Sequence, residues 1–73
     1  MPEGVRIRFG KAVRHRRNKL GVSQEAFADM CGLDRTYIGG VERGERNPTI
    51  LSALKIAKAL ETSVSELSKG IDK

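Results

Sequence analysis

Gln24-Glu25-Ala26-Phe27-Ala28-Asp29-Met30-Cys31-Gly32-Leu33-Asp34-Arg35-Thr36-Tyr37-Ile38-Gly39-Gly40-Val41-Glu42-Arg43 is the stretch on which the fold turns. Its two ends carry helical signals and its middle carries a break. Ser23 stands just ahead as an N-cap, with Gln24 and Glu25 in the first turn, where acidic groups suit the helix dipole. Phe27, Ala28 and Cys31 recur at the spacing of one inward helix face. Gly32 supplies the positive φ that a tight turn demands, and Asp34 is placed to cap a second helix from Arg35 to about Arg43. Ile38 and Val41 give that helix its apolar face, and Leu33 plugs the turn. Where two short helices cross closely only a small residue fits, and Ala28 stands there.

Working outward, a first helix is predicted from about Val5 to Leu20, with Phe9, Val13, Arg17 and Leu20 on its inward stripe and Gly21 as its stop. Gly44 ends the third helix, and Glu45-Arg46-Asn47-Pro48 reads as a loop. Thr49 caps a fourth helix to about Leu60, whose Ile50, Leu54, Ala57 and Leu60 form an apolar stripe. Ser63 caps a short fifth helix that carries Val64 and Leu67 and ends by Gly70. No alternating strand pattern, internal repeat or low-complexity segment interrupts this order. The chain therefore reads as one all-α domain over residues 1–73, with the helix-turn-helix at about 24–43.

Seventy-three residues sit near the lower limit for a self-sufficient core, so help from a disulfide, a metal, a partner copy or very regular packing is expected. Cys31 is the only cysteine, which excludes an internal disulfide, and with His15 the only histidine no zinc-ligand set can be assembled. No metal, cofactor or small-molecule ligand is implied. Dimerisation and regular helix packing remain. The first ten residues lack the apolar stretch of a signal peptide and no run approaches membrane-spanning length, so a cytoplasmic location is expected.

The formal net charge is +5, which favours a polyanionic partner. Arg6, Arg8, Lys11, Arg14, Arg16, Arg17 and Lys19 crowd the first twenty residues against Glu3 alone. A solvated helix face explains such a run equally well, so the weight falls on the third helix. Its outward positions are Arg35, Thr36, Tyr37, Gly39, Gly40 and Arg43, a face free of carboxylates after the cap. Glycine weakens a helix by roughly 1 kcal/mol relative to alanine, so two in succession suggest that something approaches the backbone closely. Arg35 suits bidentate contact with guanine O6 and N7, Thr36 offers a hydroxyl and a methyl to a base, and Tyr37 offers a ring or a hydroxyl to the DNA backbone.

The run Gln24-Glu25-Ala26-Phe27-Ala28, then Cys31 to Ile38, then Val41-Glu42-Arg43-Gly44 resembles the phage-repressor (xenobiotic-response-element) helix-turn-helix family over roughly Phe9 to Leu67. Asp34 to Ile38 followed by Glu42-Arg43-Gly44-Glu45-Arg46-Asn47 is closer still to controller proteins of restriction–modification systems. The resemblance implies a compact five-helix, lambda-repressor-like fold and a homodimer that binds a roughly palindromic double-stranded operator to regulate transcription. It implies that Ser23 and Gln24 meet phosphate, that Arg35, Thr36 and Tyr37 make most of the groove contact, and that Arg43, Arg46, Asn47 and Thr49 clamp the flanking backbone. It also implies that Arg17 pairs with Glu42 inside the fold, which the place of Arg17 on an apolar stripe supports independently. Two positions depart from the family pattern: Arg16 stands where relatives keep an aliphatic residue, and Gly39 where controller proteins have serine.

Cys31 reads as a small buried hydrophobe and His15 as a solvated spectator. Glu25, Asp29, Asp34, Glu42 and Glu45 form no catalytic pair, and no nucleophile or phosphate-binding loop supports an enzyme. Val64, Leu67 and Ile71, with Ile50 or Leu51, exceed what one small core absorbs, and they are expected to form a two-fold interface. The rival reading, from a different class, is an antitoxin-type protein-binding module that sequesters a partner.

Overall fold

Four side-chain caps set where the later helices begin. Ser23 Oγ accepts from the Ala26 amide at 3.0 Å, Asp34 Oδ2 from Thr36 at 2.9 Å, Thr49 Oγ1 from Ser52 at 3.0 Å and Ser63 Oγ from Glu66 at 3.0 Å. Each satisfies an amide that the first helical turn leaves without a partner. The computed structural model describes residues 1–69. Its five helices are α1 (Glu3–Leu20), α2 (Gln24–Cys31), α3 (Arg35–Glu42), α4 (Ile50–Ala59) and α5 (Val64–Lys69), and no strand occurs among the described residues. The first helix begins two residues earlier than its apolar pattern indicates, directly after Pro2, which serves as its N-cap. None of these helices is long and apolar enough to cross a membrane.

The turn between α2 and α3 is closed as the glycine demands. Gly32 adopts φ 70°, and the Leu33 amide reaches back to the Ala28 carbonyl at 2.9 Å. Ala28 is buried at the crossing. α1 packs on α3 and α5, α2 on α3 and α4, and α4 on α5. Phe9, Val13, Phe27, Ile38, Val41, Ile56 and Leu67 are shut away from solvent at the centre. Each of the larger of these contributes on the order of 1.5–3 kcal/mol by leaving water. Gly10 lets α1 approach α3, since a Cβ there would collide with the carbonyl oxygens of Val41 and Glu42.

Four readings of the periodicity need correction. Leu20 is half exposed, because it lies almost a turn beyond Arg17, the last buried residue of α1. The buried face of α4 is Ala53, Ile56, Ala57 and the capping Leu60, so Ile50 and Leu54 point to solvent. Small Ala53 and Ala57 let α4 sit close against its neighbours, and a stripe scored on large apolar residues alone misses that face. Leu67, expected at a subunit interface, is fully buried in the core of the chain itself and is not available to a partner. Tyr37, expected to face outward, has its ring packed against the core. Ile71, assigned to the same interface, lies outside the described residues.

Candidate nucleic-acid interface

α3 is held at both ends and on one face, which leaves its other face free. Asp34 caps the N-terminus, while Gly44, at φ 74°, turns the chain away after Arg43. Ile38 and Val41 anchor the inner side. Glu42 ties α3 to α1 through Arg17, Nε to Oε2 at 2.6 Å and Nη2 to Oε1 at 3.1 Å. The two residues are 9% and 6% exposed, so the charges compensate each other out of water.

The free side carries Arg35, Thr36, Gly39 and Arg43, which with Gln24 of α2 line a shallow polar depression of about 190 Å³. Arg35, Thr36 and Arg43 are exposed. Gln24 is half-buried, and its Nε2 donates to Glu42 Oε1 at 3.0 Å. Ser23, at the α2 N-terminus, is exposed and its oxygen is already engaged as the cap. Ser23 and Gln24 thus stand at the head of α2 and Arg35 and Thr36 at the head of α3, while Arg43 reaches the depression from the C-terminal end of α3. The free amides and dipole of a helix head favour an anion.

The two glycines are explained by the chain's own arginines. A Cβ on Gly40 would fall 2.5 Å from Arg46 Cγ, and one on Gly39 would fall 3.1 Å from Arg43 Nη1. Both glycines are buried, Gly40 beneath Arg46 and Gly39 at the floor of the depression beside Arg43. The Arg46 guanidinium lies 5.9 Å from the centroid of the Tyr37 ring. The Tyr37 hydroxyl is shut off from solvent with no hydrogen-bond partner. Asn47 Oδ1 accepts from the Met1 amino group, and Thr49 serves as the α4 cap beside an apolar hollow. Tyr37, Asn47 and Thr49 are thus not among the residues that line the depression.

Two further side chains matter here. Glu45 is exposed, as expected of a solvated acid, and also accepts from Arg43 Nε at 3.0 Å. Its spacing from Arg43 was the only available signal. Arg6, counted with the basic run, donates its Nε to the Gly44 carbonyl at 2.8 Å, so part of that charge serves the fold. Arg8, Lys11, Arg14 and Lys19 are exposed and Arg16 is half-buried. Burial pushes the Cys31 thiol up to about 11. No group of three or more metal-ligating side chains occurs among the described residues.

A capped pair of short helices at a glycine turn, with the second presenting an exposed Arg/Thr face, defines a helix-turn-helix protein. The chain belongs to the helix-turn-helix family: residues 13–67 match the family model HTH_3. Among individual proteins it is 54% identical over 55 residues to control protein C.SmaI of Serratia marcescens, across 75% of this chain and 66% of that one. It is 40% identical over 70 residues to control protein C.MunI of a Mycoplasma species, covering 94% and 95% of the two chains. The crystal structure of the restriction–modification controller protein C.AhdI from Aeromonas hydrophila superposes with a TM-score of 0.79 at 48% identity, over 84% of this chain and 92% of that one.

Proposed function

We propose that this chain is a sequence-specific, double-stranded DNA-binding transcriptional regulator of the restriction–modification controller kind, acting in the cytoplasm as a homodimer and not as an enzyme. The observation that carries the reading is the exposed Arg35–Thr36–Arg43 face of α3, flanked by the capped N-terminus of α2. α3 enters the major groove, Arg35 and Thr36 contact base edges, and the α2 N-terminus with Ser23 sits against phosphate. Arg46 and Asn47 meet the flanking backbone. Identity to the control proteins over most of the chain supports the regulatory role.

The homodimer rests on α4. Ile50 is 82% and Leu51 63% exposed, a costly way to leave large aliphatic side chains on so small a surface. Ile50 and Leu54 also line, with Val64, an apolar hollow of about 310 Å³. A two-fold interface here sets two copies of α3 in successive major grooves, about 34 Å apart. A partner-sequestering antitoxin finds no support among the relatives.

Fluorescence anisotropy of DNA from immediately upstream of the gene, against a scrambled duplex and across salt, tests the reading. The expected result is a preference of about 10³-fold or more, with a steep salt slope from phosphate contacts. Equal, weak binding to both duplexes would remove the regulator reading.

A further inference from the structure

The depression between α2 and α3 has a polarity that a phosphate clamp does not need. The Glu42 carboxylate only accepts, so Gln24 must turn its Nε2 toward it, which leaves Oε1 as the unclaimed acceptor. That oxygen lies 3.6 Å from the point where a Cβ on Gly39 would sit. On the same point, at 3.1 Å, is Arg43 Nη1. Arg43 is turned by its own carboxylate, since its Nε is taken by Glu45 at 3.0 Å and its terminal nitrogens remain free. The missing side chain at residue 39 thus opens a notch with an acceptor and a donor facing it, and each is aimed by a different glutamate. Arg35 and Thr36 complete the rim.

An anion in this notch would meet the Gln24 oxygen as a like partner. A guanine edge, which shows two acceptors, meets the same opposition. An edge that sets an exocyclic amino group beside an acceptor satisfies both walls at once. Adenine does this with N6 and N7, and a G·C pair does it with cytosine N4 beside guanine O6.

Resting on the DNA-binding role proposed above, we infer that Gln24 and Arg43 read one base pair per half-site across the Gly39 notch, with Gln24 Oε1 accepting from an exocyclic amino group and Arg43 donating to the neighbouring acceptor. Gln24 is then a specificity residue and not a phosphate contact. Glu42 and Glu45 are its positioning partners. Gly39 is required because a methyl in its place would stand 3.1 Å from Arg43 Nη1 and displace that guanidinium from the position it reads from.

The test is selection from randomised duplexes by the wild type, Gln24→Met and Gly39→Ala, each first checked by thermal melting. The wild type is expected to select an adenine or cytosine at one position per half-site that both variants lose, while the other positions keep their preference. Replacing that base by its analogue without the amino group (purine for adenine, 2-pyrimidinone for cytosine) should weaken wild-type binding about tenfold and leave Gln24→Met unaffected. Whichever analogue has the effect identifies the base. A wild-type consensus in which both variants lose affinity uniformly, with no position singled out, overturns this inference and leaves the regulator reading intact. A wild type that selects no sequence overturns both.

Discussion

Arg17 of α1 and Glu42 of α3 are joined by two hydrogen bonds, at 2.6 and 3.1 Å, and Gln24 of α2 closes on the same carboxylate at 3.0 Å. Arg17 Nη1 also donates to the Val22 carbonyl at 2.9 Å, in the loop between α1 and α2. Three helices therefore meet on one carboxylate, and the orientation of α3 depends on it.

Removing one member leaves the other charge buried alone, so Glu42→Ala should cost about 3–5 kcal/mol in urea unfolding. A domain of this size holds about 4–11 kcal/mol in all. The double variant Arg17→Met, Glu42→Leu should recover much of the loss. A single variant within 1 kcal/mol of wild type would show that the pair is not buried in solution.

Gly10 should tolerate no side chain. Its Cβ would stand 2.2 Å from the Val41 carbonyl oxygen, which is backbone and cannot swing aside. Gly10→Ala is expected to destabilise by about 1–3 kcal/mol or more. Gly4→Ala, on the exposed start of the same helix, should stabilise by up to about 1 kcal/mol. Thermal melting of the two variants side by side checks both signs.

Cys31 should be inert while the chain is folded. It is buried and its thiol is pushed up to about 11, so almost no thiolate exists at pH 8. A disulfide reagent at that pH should modify it only on unfolding, at a rate that rises with denaturant. Prompt modification of the native protein would show that the end of α2 opens.

Leu51→Asp places a charge on the exposed apolar side of α4 while leaving the buried core untouched. Sedimentation should show a dimer for the wild type at tens of micromolar and a monomer of unchanged helicity for the variant. A monomeric wild type, with or without DNA, would remove the two-fold arrangement.

Most of the fold is legible in the residues, because caps and turns are local chemistry. Ser23, Asp34, Thr49 and Ser63 act as their types indicate, and Gly32 takes the left-handed turn. The buried side of α4 is not legible in the same way. Two alanines define it, and only the close approach of neighbouring helices shows that alanine is the right size. Leu67 and Leu20 exchange their expected places for a similar reason: burial near a helix end depends on which helices pack across it. At the site, the type of Arg35, Thr36 and Arg43 was informative, whereas the orientation of Gln24 and Arg43 depends on carboxylates brought from elsewhere in the chain. Gly39 and Gly40 signal close approach correctly, but the approaching groups are Arg43 and Arg46 of the same chain.

If the exposed face of α3 reads bases, Arg35 is its most direct probe. Binding of wild type, Arg35→Ala and Arg46→Ala to the operator and to a random duplex should be compared at one salt concentration. Arg35→Ala should lose about 1–3 kcal/mol on the operator and far less on the random duplex, whereas Arg46→Ala should weaken both alike. Equal losses on the two duplexes for Arg35→Ala would contradict the account.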